Sequence, residues 1–206
     1  MKYLTATIKQ VQSALGVTSD GIAGPVTWSA IRKHIVTNLI AEVDTNLTEV
    51  PKVDERSEKY IRTLHEQAQP YARALVHEAK KQGITIKIIS GTRTYAEQNT
   101  LYAQGRSQPG KRVTNARGGY SNHNFGIAFD ACIFDGSRPV WESPHYQTLG
   151  TIGKELGLEW GGDWRTFKDK PHFQLRPTWA KNMREKDMLR ELRYLTFQKK
   201  DIFANG

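Results

Sequence analysis

The sequence predicts an α+β fold. From residue 57 to 81, apolar side chains recur at the three- and four-residue spacing of helices that bury one face, and Pro70 is placed to begin a second helix. Residues 84–88 alternate between apolar and polar, the pattern of a strand with one buried face. Residues 126–133 form another apolar run with strand character, interrupted only by the acidic Asp130.

Composition and charge narrow the class of protein. The 206 residues suffice for one ordinary domain and a small additional unit. The single cysteine, Cys132, excludes an internal disulfide, and its apolar neighbours indicate a buried small side chain. The net charge of +9 favours a polyanionic partner, but the dispersed Lys and Arg and the lack of zinc-finger or RNA-binding motifs argue against nucleic acid.

The sequence contains no apolar run of membrane-spanning length and no signal-peptide pattern at its start. We therefore expect synthesis in the cytoplasm, no stable membrane insertion and no sequence-encoded export. If the substrate lies outside the cell, another protein must allow release.

Three segments follow one another along the chain. Residues 1–44 predict a small helical unit, in which Gly24-Pro25 separates two helices. Residues 45–56 are polar and poorly periodic, as in a linker. Residues 57–206 form the main domain, whose basic C-terminal tail predicts a helix packed on that domain. A helix that contacts a membrane or the cell envelope is the alternative for this tail.

Four of the six histidines are poor candidates for metal ligands. His65 and His77 each precede a glutamate, but neither has the second histidine four positions on that the helical zinc-peptidase motif requires. We interpret both of them, and His34, as helix-surface or packing residues. His145 follows a proline in a turn and is interpreted as structural.

The surroundings of His123 are different. Asp130 follows it by seven positions and lies inside an apolar run, where an unpaired carboxylate would be costly to bury. A bound cation would remove that cost. His172, in Asp169-Lys170-Pro171-His172-Phe173, is the third candidate ligand. Catalytic zinc is commonly held by three protein ligands with one position left to water, so the sequence predicts one zinc ion per chain.

Residues 60–175 resemble the L-alanyl-D-glutamate peptidases, relatives of the D-Ala-D-Ala carboxypeptidases among the LAS-type zinc peptidases. The matching motifs, in chain order, are Ser90-Gly91-Thr92-Arg93-Thr94, Glu97-Gln98, Leu101-Tyr102-Ala103-Gln104-Gly105-Arg106, Pro109-Gly110, Val113-Thr114-Asn115-Ala116, Ser121-x-His123-x-x-Gly126-x-Ala128-x-Asp130 and Asp169-x-Pro171-His172-Phe173. The resemblance implies a central antiparallel sheet flanked by helices and a zinc-dependent endopeptidase that cuts the stem peptide of peptidoglycan.

The resemblance also implies site roles. His123, Asp130 and His172 become the zinc ligands, Asp169 the catalytic base, and Arg93 the cation beside the substrate carbonyl. An ordinary salt bridge is the alternative for Arg93.

Other polar residues stay open. Ser121 is a candidate substrate-binding residue, or it only shapes the loop before the first histidine ligand. Glu155, Glu159 and Asp163 compete for the role of base because they lie close to Asp169 in the sequence.

The N-terminal unit resembles the three-helix peptidoglycan-binding module, on the motifs Val11-Gln12, Leu15-Gly16-Val17, Asp20-Gly21, Gly24-Pro25 and Thr27-Trp28-Ser29-Ala30-Ile31. A helical extension without a ligand is the alternative. Together the two resemblances imply a monomeric phage endolysin that acts on the cell wall after release by a holin-like partner. A D,D-carboxypeptidase and a non-catalytic, zinc-containing wall-binding protein are the rival functions.

Overall fold

The computed structural model describes residues 2–31 and 50–204. The chain divides into two compact units, residues 1–49 and 50–206. The predicted boundaries at 44 and 56 stay a prediction, since residues 32–49 lie outside the described part. No helix within the described ranges has both the length and the apolarity needed to span a membrane.

The N-terminal unit contains helix α1 (Lys2–Ala14) and a second helix, α2, described over residues 25–31. A buried glutamine of α1, Gln12, joins them. Its side-chain amide donates to Asp20 Oδ1 at 2.6 Å and to Thr27 Oγ1 at 2.8 Å. The hydrogen bonds of Gln12 thus join α1, the loop that follows it and α2.

Apolar side chains bury little surface in the described part of the N-terminal unit. Five of the large ones are exposed by more than a third: Leu4, Val11, Ile22, Val26 and Trp28. His34 lies outside the described residues, so its interpretation as a packing residue stays a prediction.

The second unit is built on an antiparallel sheet, which confirms the predicted fold class. Its strands lie in the order β1-β2-β5-β4, and a short strand, β3, pairs with the end of β2. The strands are β1 (Ile86–Ser90), β2 (Ala128–Asp135), β3 (Arg138–Pro139), β4 (Glu159–Trp160) and β5 (His172–Gln174).

Both strands predicted from periodicity exist, and each begins two residues later than expected. The strand expected at 84–88 runs from Ile86 to Ser90, and that expected at 126–133 runs from Ala128 to Asp135. The second shift has a local cause. Gly126 has a φ of +69°, so the chain turns there before it can extend.

The helices described in this unit are α3 (Glu55–Ile61), α4 (Gln69–Lys81), α5 (Tyr95–Ala103), α6 (Tyr146–Glu155) and α7 (Glu185–Phe197). Of these, α3, α4 and α6 pack on the sheet and close the main core. Pro70 lies in the first turn of α4, as predicted. Fully buried side chains from both layers form this core, among them Ile61, Leu75, Ile88, Phe129, Leu149 and Phe173.

Helix α7 has a core of its own. Met188, Leu192 and Leu195 are buried against Phe125 and Ile127, which lie just before β2. These contacts hold α7 against the domain. Cys132 is free and fully buried, as expected.

An ion pair joins α3 to α4 inside the domain. Arg73 donates from Nε and Nη2 to the two carboxylate oxygens of Glu58, at 2.8 and 3.0 Å. The Glu58 side chain is 1% exposed and that of Arg73 15%. The hydrogen bonds from Arg73 hold the pKa of Glu58 below its usual range.

We predict that Glu58→Gln lowers the free energy of unfolding by about 3 kcal/mol near pH 7, since it leaves a mostly buried arginine without its charged partner. The folded pKa of Glu58 lies below the unfolded one, so this stabilisation is present above the unfolded pKa and is lost as pH falls through the folded pKa. Urea unfolding at neutral and acidic pH measures both effects.

The matched control is Glu55→Gln, in an exposed pair with Arg62, for which we expect a change below about 1 kcal/mol. An equal loss for Glu58→Gln at both pH values would contradict the electrostatic explanation.

Candidate metal centre and active-site cleft

The sheet and one short turn bring His123, Asp130 and His172 together. Asp130 on β2 pairs directly with His172 on β5. His123 lies in the 3-10 helix Asn122–Phe125 just before β2. Gly126 ends this 3-10 helix in the left-handed conformation, and a Cβ there would lie 2.8 Å from the backbone nitrogen of His65. The turn that aims His123 at the sheet therefore requires glycine.

The three side chains offer ligand atoms at the spacing of a small metal site. His123 Nε2 lies 3.2 Å from His172 Nδ1, and Asp130 Oδ1 lies 3.3 and 3.5 Å from these nitrogens. Ligands at about 2.0–2.1 Å from a tetrahedral zinc ion stand about 3.4 Å apart. Among the described residues, this is the one group of three or more His, Cys, Asp or Glu side chains that meets the geometry of a metal site.

The outer nitrogen of each imidazole, on the side away from this centre, lies close to a hydrogen-bond acceptor. His123 Nδ1 lies 2.8 Å from the carbonyl oxygen of Gly91, and His172 Nε2 lies 2.9 Å from Gln174 Oε1. If each of these nitrogens carries the hydrogen, the remaining nitrogens turn their lone pairs toward Asp130. Burial lowers the pKa of His123, which favours its neutral form.

Asp130 completes the case for a cation. Its Oδ1 is buried and accepts no hydrogen bond from the described residues. Burial tends to raise the pKa of this carboxyl, but N–H groups and positive charge on the two imidazoles outweigh burial and hold the pKa well below its usual range. Burial likewise disfavours the charged form of His172, but the carboxylate of Asp130 outweighs burial and raises the pKa of His172. When both rings are neutral, lone pairs of an ionised oxygen and two nitrogens converge, an arrangement that a divalent cation relieves. Two nitrogens and one carboxylate fit zinc better than calcium or magnesium.

Arg93 lies beside the carboxylate of Asp130. Its Nη2 donates to Asp130 Oδ2 at 2.5 Å and to Ser90 Oγ at 2.8 Å, while Nη1 lies 3.4 Å from Gln98 Oε1. Helix α5 begins directly after Arg93 with a capping box formed by Thr94 and Glu97, which fixes the backbone at this point. Arg93 thus forms a salt bridge, as the alternative expected, but with a candidate metal ligand and at the wall of the cleft.

Asp169 lies in the loop before β5 and lines the same cleft. Its backbone N–H donates to Gly161 O, and its carbonyl accepts from the N–H of His172. No hydrogen bond from the described residues reaches its carboxylate. Burial, together with the negative charge of Asp130, raises the pKa of Asp169.

The competing carboxylates are engaged elsewhere. Glu159 pairs with Arg176, and Asp163 pairs with Lys154. Glu155 is exposed near the end of α6 and does not line the cleft.

The cleft around the centre is lined by both polar and aromatic side chains. Ser121, half-buried, precedes the 3-10 helix that carries the first histidine and lies in the cleft wall. The ring of Trp164 lies 4.9 Å from that of His172. Partly exposed aromatic side chains line the cleft at Tyr120, Trp141, Trp164 and Phe167.

Two of the other histidines have structural contacts. His77 contacts the carbonyl of Pro51, and His65 lies beside Asp201 and the ring of Phe203. His145 is exposed at the start of α6.

The sequence analysis missed Gln174 and the Gly91 carbonyl, which hold the outer nitrogens of the two histidines. Gln174 could have been found, because it follows His172 by two positions and so shares its face of β5. The role of a backbone carbonyl cannot be recognised in this way, because every residue has one. The need for glycine at 91 is clear from the fold alone, since a Cβ there would lie 2.5 Å from Tyr60 O.

Comparison with known proteins identifies several relatives. A family model described as D-alanyl-D-alanine carboxypeptidase matches residues 114–175. The peptidoglycan L-alanyl-D-glutamate endopeptidase CwlK of Bacillus subtilis (strain 168) is 41% identical over 125 residues, which span 55% of this chain and 74% of CwlK. The L-alanyl-D-glutamate peptidase of Listeria phage A118 is 30% identical over 122 residues, spanning 58% of this chain and 40% of the phage protein.

Among solved structures, the Serratia marcescens L-Ala D-Glu endopeptidase ChiX aligns with 63% of this chain and 92% of its own. The identity is 27% and the TM-score is 0.47.

Proposed function

The chain belongs to the M15 family of peptidases, and from this premise we propose that it is a zinc-dependent endopeptidase that cuts the L-alanyl-D-glutamate bond of bacterial peptidoglycan. The observation that carries the proposal is the cluster of His123, Asp130 and His172 beside the carboxylate of Asp169. The bond is assigned from CwlK, which is 41% identical and bears that activity in its name.

We assign the metal to His123, Asp130 and His172. When bound, zinc acts as a Lewis acid that polarises the scissile carbonyl and makes a water molecule more acidic. Asp169 then accepts the proton of the attacking water and passes it to the leaving amine. Its raised pKa suits both transfers, because a base whose pKa lies nearer the working pH can also return the proton.

Two further residues would contact the substrate. Arg93 uses Nη2 and Nε on Asp130 and Ser90, whereas Nη1 has only a long contact to Gln98 and can donate to the oxyanion that develops on the carbonyl. Such a contact contributes about 3 kcal/mol in other hydrolases. Ser121, in the cleft wall, is assigned to substrate binding.

A D,D-carboxypeptidase is the second candidate, because the family model that matches residues 114–175 bears that description. A non-catalytic wall-binding protein is disfavoured, since Asp169 lines the cleft and its carboxylate has no hydrogen-bonding partner among the described residues.

The biological role that we propose is host-cell lysis by a phage endolysin, in agreement with the phage relative. The protein would act as a monomer on the cell wall, after a holin-like partner lets it leave the cytoplasm. The N-terminal unit, residues 1–44, would bind the wall. Exposed apolar side chains such as Trp28 on this unit support a binding role.

The bond is tested by mass spectrometry of purified peptidoglycan after digestion. We expect new N-terminal D-glutamate in the products. Loss of terminal D-alanine alone would replace the proposed specificity with that of a D,D-carboxypeptidase, and no cleavage by the zinc-loaded protein would favour the binding protein.

Asp169→Asn should lower turnover at least about a hundredfold, because general-base catalysis is worth about 10²–10⁴-fold. Zinc content by elemental analysis should stay at one ion per chain, since the three ligands remain. The control is Asp163→Asn, an exposed carboxylate of the same cleft that pairs with Lys154, and it should keep near-normal turnover. Near-normal turnover of Asp169→Asn would assign the base to another group.

A chain shortened to residues 50–206 should retain cleavage of soluble muropeptides and bind intact sacculi less well than the full chain. The expectation follows from the division into two units at residues 49 and 50. Sedimentation with sacculi measures the difference, and equal binding by both chains would exclude an anchoring role.

A further inference from the structure

A chain of hydrogen bonds runs from His172 away from the metal centre. Gln174 Oε1 lies 2.9 Å from His172 Nε2 and accepts from Asn122 Nδ2 at 2.6 Å. On its other side, Gln174 Nε2 donates to Glu159 Oε2 at 2.6 Å, and Asn122 Nδ2 also donates to Glu185 Oε1 at 2.5 Å. Asn122, His172 and Gln174 are buried.

The two carboxylates at the ends of this hydrogen-bond network fix the orientation of its side-chain amides. An ionised carboxylate only accepts hydrogen bonds. Glu159 therefore requires the NH₂ group of Gln174 on its side, which turns Oε1 toward His172. Glu185 likewise requires the NH₂ group of Asn122, whose Oδ1 stays buried without a hydrogen bond from the described residues.

The orientation of these amides decides the tautomer of neutral His172. Because Gln174 presents an acceptor to the ring, Nε2 must carry the hydrogen. In the neutral ring the lone pair then lies on Nδ1, the atom 3.2 Å from His123 Nε2 and 3.5 Å from Asp130 Oδ1. The metal-facing nitrogen is thus prepared by groups that cannot themselves reach the metal.

Arg176 holds both carboxylates in place. It donates from Nε to Glu159 Oε1 at 2.5 Å and from Nη2 to Glu185 Oε2 at 2.6 Å. Glu185 is the first residue of α7, so the C-terminal helix contributes to the support of the metal centre as well as to its own core.

We propose that Gln174 is a positioning residue that holds His172 in the Nε2–H tautomer for metal binding, with its orientation fixed by Glu159 directly and by Glu185 through Asn122. This inference rests on the proposed zinc site, and it concerns metal affinity rather than the identity of the cleaved bond.

Nitrogen-15 NMR of the imidazoles tests the tautomers in the full chain before and after zinc removal. In the metal-free protein, His172 should carry hydrogen on Nε2 and His123 on Nδ1, the opposite tautomers. Gln174→Met, which is similar in size but offers no strong acceptor, should leave metal-free His172 as a mixture of the two forms. The Nδ1–H form of His172 in the unmutated chain would overturn the proposal.

Zinc affinity, measured by competition with a chelator, is the second readout. Loss of a group that orients a metal ligand typically costs 10–100-fold in affinity, and we expect that range for Gln174→Met. Glu185→Gln should give a smaller loss, because the amide that replaces the carboxylate can accept or donate. Gln12→Met is the matched control, since Gln12 is also a buried, hydrogen-bonded glutamine but belongs to the other unit.

The outcomes separate this inference from the proposed function. A zinc affinity of Gln174→Met within about twofold of the unmutated chain would overturn the positioning role even if the enzyme cuts peptidoglycan, since an orienting group is expected to cost more. If the protein cuts no peptidoglycan but shows the predicted tautomers and the loss of zinc affinity, the positioning role of Gln174 is upheld and the proposed function fails. If Gln174→Met does not fold, the proposal is still tested by the imidazole tautomers of the unmutated chain and by the zinc affinity of Glu185→Gln.

Discussion

The site depends on one electrostatic constraint, the convergence of two imidazole nitrogens on the carboxylate of Asp130. His123, Asp130 and His172 place their ligand atoms 3.2 to 3.5 Å apart, with both histidines buried and the Asp130 side chain 14% exposed. A carboxylate buried in this way is costly without a cation. The surrounding groups keep the arrangement in place, because Gly91 and Gln174 bind the outer nitrogens of the imidazoles and Arg93 binds the second oxygen of Asp130.

The three candidate ligands could be proposed from the sequence because their signals are local, whereas the role of Asp169 as base came from the family resemblance. Asp130 is the acidic residue of an apolar run, and His123 precedes it at a spacing that one turn can close. The same holds for α4, whose proline and periodicity marked its start. Residues that support the site from a distance left no such signal. The contact between Gln174 and Glu159 depends on pairing between strands of three and two residues, too short to show periodicity.

Burial divides the carboxylates of the cleft into different chemical roles. Asp130 is held ionised by its neighbours, whereas the carboxylate of Asp169 has no hydrogen-bonding partner among the described residues and has a raised pKa. Glu159 forms an ion pair with Arg176. Three acidic groups of one cleft thus differ by environment, so that one suits a cation, one suits proton transfer and one suits structural support.

The pairing of Asp130 with His172 across β2 and β5 also bears on how the chain folds. β5 is only three residues long, so its own hydrogen bonds specify little about alignment. A slip by one residue would turn Asp130 or His172 to the opposite face of the sheet and dismantle the cluster. Metal binding is therefore possible in one alignment only, and the free energy of binding adds directly to the preference for it. A bound ion thus favours one strand register, in addition to its role in the reaction.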